Sequence, residues 1–237
     1  MPTRFAFLAV HCLLIPCLLI PCSLLAADSW PQFRGPDGNG IAQDQTIPTE
    51  FSESDGVTWK TDLPGLAWSS PVVSDGTIWV TTAIERAPTA EEKIELFKKN
   101  GIEQRKFKQL SIAKSIDLKL IAVSLQSGSI QQTIDLTSIE SPDAIHSLNS
   151  YASPTPVIDD KHIYCHFGTY GTFCVNRDSG KLVWQRRLPL VHSVGPGSSP
   201  YLLNNMLVLI QDGVERQYVT ALNKSTGETL WEVDRPE

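Results

Sequence analysis

The chain has no basic block, no adjacent cysteine pair, no Cys-x-x-Cys or Cys/His zinc spacing, no Gly-x-Ser-x-Gly elbow and no phosphate-cradling glycine loop. Without a run of Lys and Arg, and with a formal net charge of -6, it offers nothing to nucleic acid or an anionic membrane surface. The absent motifs leave no recognisable nucleophile, zinc site or nucleotide site. Charged residues are also few, at 19% against 41% hydrophobic. That balance, with six Trp, suits a β-rich exported domain rather than a disordered or collagen-like chain.

What is present begins with an uncharged run from Phe5 to Leu25, preceded by Arg4 and ending in Ala26-Ala27. One basic residue, an apolar stretch and small terminal residues read as a secretory signal over residues 1–27. His11, Pro16 and Pro21 make it a poor uninterrupted span; a retained anchor is the alternative. Leu19-Ile20-Pro21-Cys22 resembles a bacterial lipoprotein box, from which the proline before the cysteine departs. Three of the five cysteines (Cys12, Cys17, Cys22) fall in this run. Cys165 and Cys174 remain, too few for a disulfide framework. They flank Gly168-Thr169-Tyr170-Gly171 symmetrically, so they are placed to face each other across a hairpin. Cys174 also fills a slot that is alanine elsewhere, which favours a buried small side chain.

Self-comparison shows a repeat. Ser69-Ser70-Pro71 followed by two short apolar strands returns at Ala152-Ser153-Pro154 and again at Ser198-Ser199-Pro200. Asp75-Gly76 and Asn204-Asn205 are tight-turn dipeptides. A second module follows each time, as Ala122 to Gly128, Cys174 to Gly180 and Ala221 to Gly227. Trp184 and Trp231 lie four residues past their glycines, Gln132 stands there in the first copy, and Trp59 precedes the first Ser-Pro. Four short strands per 46 or 47 residues, with a Trp at fixed phase, is the pattern of a β-propeller blade. The fold expected is all-β: four-stranded propeller blades over residues 59–237 after a lead-in at 28–58. Thr89-Ala90-Glu91-Glu92 has the form of a capping box, Ile94 and Phe97 follow at helical spacing, and Asn100-Gly101 stops the run. A surface helix is therefore expected within an insertion at about 83–115, in the outer part of the first blade. The remaining residues make about three blades where closed propellers have four to eight. The expectation is the N-terminal part of a longer protein, or a chain closed by association.

Ala221-Leu222-Asn223-Lys224-Ser225-Thr226-Gly227-Glu228-Thr229-Leu230-Trp231 resembles the PQQ-like propeller repeat of the quinoprotein alcohol dehydrogenase-like superfamily. Trp30-Pro31-Gln32-Phe33-Arg34-Gly35-Pro36 is similar to the N-terminus of its exported bacterial members. So are Asn149 to Pro156 and Gly195 to Pro200. The resemblance implies that Trp59, Trp184 and Trp231 dock between neighbouring blades, with Gln132 leaving its junction less well packed. It also implies one of two functions. The first is an exported, non-catalytic binding or scaffolding module of the periplasm or cell envelope, such as a BamB-like scaffold. It would hold an unknown protein or small-molecule ligand at one propeller face, with no nucleic acid and no membrane span after signal cleavage. The alternative is the N-terminal part of a PQQ-dependent dehydrogenase with calcium. No position here matches that family's cysteine pair, calcium ligands or base, so no catalytic or metal residue is assigned.

The candidate ligand residues are His146, Asn149, His192, Asp212 and Arg216. His146 and His192 each lie seven residues before a Ser-Pro serine, which places them near one mouth of the channel. Convergent imidazoles bind metals or acidic ligands near neutral pH; two polar loop residues on a solvated face is the alternative. Arg216 suits a carboxylate or phosphate, or else pairs internally with Asp212 or Glu215. His162, Tyr164 and His166 share one strand face, read as packed blade surface.

Overall fold

The computed structural model describes residues 29–42, 49–192 and 194–236. The expected export signal and Cys12, Cys17 and Cys22 lie outside the described residues. In chain order the elements are β1 (Val72–Ser74), β2 (Thr77–Arg86), α1 (Ala90–Lys99), β3 (Leu110–Ser111), β4 (Ser115–Ser124), β5 (Ile130–Glu140), β6 (Ile145–His146) and β7 (Val157–Ile158). They continue with β8 (His162–His166), β9 (Thr172–Asn176), β10 (Leu182–Arg186), β11 (Tyr201–Leu203), β12 (Met206–Asp212), β13 (Gln217–Asn223) and β14 (Thr229–Asp234). Three antiparallel four-stranded sheets result, β1-β2-β4-β5, β7-β8-β9-β10 and β11-β12-β13-β14, plus the small pair β3-β6. Each is a blade of an incomplete β-propeller. No helix among the described residues is long and apolar enough to cross a membrane.

Strand register aligns the blades side chain by side chain. Because side chains alternate along a strand, cross-strand partners form a row on one face. These rows are Val72-Trp79-Ala122-Gln132, Val157-Tyr164-Cys174-Trp184 and Tyr201-Val208-Ala221-Trp231. The opposite faces carry Ile78, Val80 and Val123 in the first blade, Ile163, Cys165 and Val175 in the second, and Leu207, Leu209 and Leu222 in the third. The first row packs on the second blade's opposite face in the larger apolar cluster, and the second row on the third blade's in another.

The rows correct the sequence alignment by two residues. Val157 corresponds to Val72, so Thr155-Pro156, not Ser153-Pro154, matches Ser70-Pro71 and Ser199-Pro200. The hydrogen bonds agree: the Ser70 amide donates to Thr155 Oγ1 (3.0 Å) and the Thr155 amide to Ser199 Oγ (3.0 Å). The doubled Ser-Pro-Thr-Pro hid the slip.

At each joint one side chain covers the glycine turn of the next blade. Trp184 Nε1 donates to the Lys224 carbonyl (2.9 Å), and its ring fills the space a Cβ on Gly227 would need. Trp59 makes the same contacts with Leu125 (3.0 Å) and Gly128. Gln132 occupies that place over Gly180. Further in along the same row Trp79 supplies an indole, 4% exposed, whose Nε1 has no hydrogen-bond partner among the described residues. Trp231 is 39% exposed and covers no turn among the described residues.

Charged clasps join the blades on the face with the short turns. Arg177 reaches Ser74 Oγ (2.9 Å) and Asp75 (2.8 Å), and Lys224 reaches Asp159 (2.8 Å). The place of Arg177 and Lys224 is held in the first blade by Leu125, and the third blade's turn presents Leu203 and Asn204.

The two thiols are free and buried. Cys165 opposes Phe173 and Cys174 opposes Tyr164, so they point to opposite faces. The three-residue 3-10 turn at Gly168–Tyr170 shifts the hairpin centre by half a residue and defeats the apparent symmetry.

The insertion joins the two middle strands of the first blade, over residues 87–114, rather than its outer part. Thr89 and Glu92 form the reciprocal capping box of α1. Phe97 is fully buried while Ile94 is exposed. Phe97, Ile112 and Ala144 make a satellite core, with Ile102, Phe107 and Leu110 against it, which holds the insertion over one mouth.

Candidate functional site

The middle-strand connections of all three blades and the two blade-to-blade loops gather on the face opposite the clasps. Between them lies a groove of about 400 Å³. The end of α1 and the 3-10 turn after it contribute Glu103 and Lys106, β3 and its approach Gln109 and Leu110, and the blade loops Asp143, His146, Val191, His192, Val194 and Val214. The valines are exposed, at 56%, 50% and 65% for Val191, Val194 and Val214, so the lining carries aliphatic as well as polar side chains.

The loop carrying Asp143 is set by two tyrosines from distant positions. Tyr151 Oη donates to the Asp143 carbonyl (2.8 Å), and the Asp143 amide donates to Tyr170 Oη (3.0 Å). Burial pushes both phenols above their ordinary range, so they act as neutral hydroxyls.

The structure brings His146 and His192 to one groove, and both rings are engaged by the chain itself. His146 Nδ1 accepts from the Leu148 amide (3.2 Å), and its own amide donates to the Val194 carbonyl (3.1 Å). His192 Nε2 accepts from the Thr169 amide (3.2 Å). That approach needs Gly168, since a Cβ there would lie 2.4 Å from Nε2. Burial lowers the His192 pKa against the opposing pull of Asp143, the Asp212 carbonyl and Glu215, which favours a neutral imidazole.

Asn149 abuts the groove but spends its amide on scaffolding, donating to the Val194 (2.8 Å) and Pro196 (3.1 Å) carbonyls. Arg216 and Asp212 belong elsewhere. Arg216 pairs with Glu232 (2.8 Å) and Asp234 (2.5 Å) over the Tyr218 ring, and Asp212 pairs with Arg235 (2.6 Å). The expected internal partners Asp212 and Glu215 are both replaced; the Glu215 carboxylate accepts from the Val191 amide (2.8 Å).

Asp143, Glu103, Lys106 and Gln109 escaped the sequence reading. The capping box located the helix that precedes Glu103, Lys106 and Gln109, but not the loop of Asp143 that they face.

A calcium ion takes six to eight oxygen ligands. No group of three or more His, Cys, Asp or Glu comes together among the described residues.

Comparison with known proteins gives one family. The sequence model of a PQQ-like repeat family, described as outer membrane protein assembly factor BamB, matches residues 49–231. No curated protein sequence matches the chain. Among solved structures, BamB from Moraxella catarrhalis is 20% identical over 52% of this chain and 34% of its own, with a TM-score of 0.36. Quinohemoprotein alcohol dehydrogenase from Comamonas testosteroni is 15% identical over 72% and 21%, at 0.45. A europium-containing methanol dehydrogenase is 11% identical over 77% and 27%, at 0.48. The chain thus spans about a third or less of the length of each. With the family match running through all three blades, the chain belongs to the PQQ-like repeat family of outer membrane protein assembly factor BamB.

Proposed function

We propose that the chain is an exported, non-catalytic binding module of the cell envelope whose mouth groove holds an extended segment of another polypeptide. The groove itself carries this reading: its lining joins the exposed valines Val191, Val194 and Val214 of the blade loops with Glu103, Lys106 and Gln109 of the insertion. A β-strand-like segment turns apolar side chains to one side and polar ones to the other, which fits a lining of both kinds. The family's description as an outer membrane protein assembly factor supports a client of that kind, a strand awaiting incorporation into a barrel.

The test is fluorescence anisotropy with a labelled ten-residue peptide of alternating apolar and polar residues, against a scrambled control. Val194→Asp and Lys106→Glu are expected to weaken binding at least about tenfold. Equal affinity for both peptides, or undiminished binding by both variants, refutes the reading. Quinone absorbance and dye reduction after adding PQQ and calcium would favour the dehydrogenase instead.

A further inference from the structure

His166 lies at the joint between the second and third blades, 2% exposed. Its Nδ1 is 2.9 Å from Thr172 Oγ1 on β9, and its Nε2 is 3.4 Å from the side-chain amide of Gln211 on β12, itself 1% exposed. Gln211 Oε1 has no hydrogen-bond partner among the described residues. Thr172 Oγ1 and, with its amide turned, Gln211 Oε1 can accept from the ring in either protonation state; what an imidazolium adds is a buried charge.

Among the described residues no acidic side chain offsets that charge. The titratable group acting on His166 is His192, which disfavours a second cation. Asp143 and Glu215 act on His192. On the His166 face of β8, Tyr164 is engaged with Asp159 and lies near Cys174. Among the described residues His166 is the one histidine that is buried.

We propose that the joint between the second and third blades is an acid-sensitive hinge, released when His166 takes up a proton while the joint between the first and second blades stays shut. Burial, with a smaller contribution from His192, lowers the closed-state pKa to about 3, against the ordinary value of about 6.5 regained in water. Opening is therefore favoured as pH falls below the ordinary value.

The two thiols report on the two joints. Cys174 is sealed in the second, beside Tyr164 and Leu207, and Cys165 in the first. The full chain is labelled with an acid-tolerant pyridyl disulfide at pH 7.5 and pH 5. Both sites are read by tandem mass spectrometry, each rate relative to the same thiol in urea. The accessible fraction of Cys174 is expected to rise about 30-fold with no comparable rise at Cys165, and H166Q should abolish the rise. An equal rise at both thiols, no rise, or a rise that persists in H166Q overturns the proposal. If H166Q fails to fold, the ratio of the two thiols in the unaltered chain decides.

Discussion

At the scale of single residues, position in the row matters more than residue type. Trp184 and Trp231 share one phase of the repeat, yet only Trp184 has a neighbouring glycine turn beneath it. Trp184→Ala should cost about 3–5 kcal/mol through the lost area and the cavity left, whereas Trp231→Ala should cost under about 1 kcal/mol. Urea denaturation of the two variants checks the contrast. Asp159 is a second case. Burial alone would raise its pKa, but Lys224, the amides of Lys161 and His162, and the Tyr164 hydroxyl together hold it below the ordinary carboxylate value. A depressed folded-state pKa stabilises above the ordinary value and is lost as pH falls through the folded one. Lys224→Met should raise that pKa, narrow the pH range of this stabilisation and move its loss to higher pH, followed by the urea midpoint between pH 3 and 7. Residue types were legible in the sequence, and Cys174 in an alanine slot was read correctly. The partners of Arg216 were not, because Glu232 and Asp234 become its neighbours only when β13 and β14 pair.

At the scale of elements, the helix was plain from its cap and the blades from their Ser-Pro and glycine marks. Two features escaped for a common reason: small changes of loop length move registers without changing pattern. The Ser-Pro-Thr-Pro doubling displaced one repeat by two residues, and the odd turn at Gly168–Tyr170 sent the cysteines to opposite faces. The groove depends on Tyr151 and Tyr170 grasping one loop from two elements, and no local periodicity announces such a contact. The first row also shows a trade between elements, with its indole on β2 at Trp79 instead of on β5 at Gln132. Trp79→Tyr with Gln132→Trp restores the residue order of the second blade. The pair should be more stable than the sum of the single changes by about 1 kcal/mol, measurable as a thermodynamic cycle in urea. Strict additivity would mean that the two positions do not share one packing problem.

At the scale of the whole molecule, one geometric unit is used three times and joined twice. The repeat made that visible, since each blade hides its apolar faces only against a neighbour. Function was less legible, because the groove is assembled from the parts that differ between blades: the insertion, the blade-to-blade loops and the exposed valines. The repeat writes the scaffold, and the departures from it write the surface.

The clasps carry a consequence of their own. Arg177 with Asp75 and Lys224 with Asp159 place cross-blade electrostatics inside the trio, while Leu125 and the Leu203-Asn204 turn leave its outward ends neutral at the matching places. Both pairs are contacts at 2.8 Å whose Arg177, Lys224 and Asp159 members are largely shielded from water, and such pairs are screened far less than exposed charges separated by more than a Debye length, about 8 Å at physiological ionic strength. Sodium chloride should therefore leave the seams between blades closed. Amide exchange at Ser70 and Thr155, which donate across the two joints, is expected to stay unchanged as salt increases; a rise there with the β4-β5 ladder unchanged would show that the clasps are screened after all.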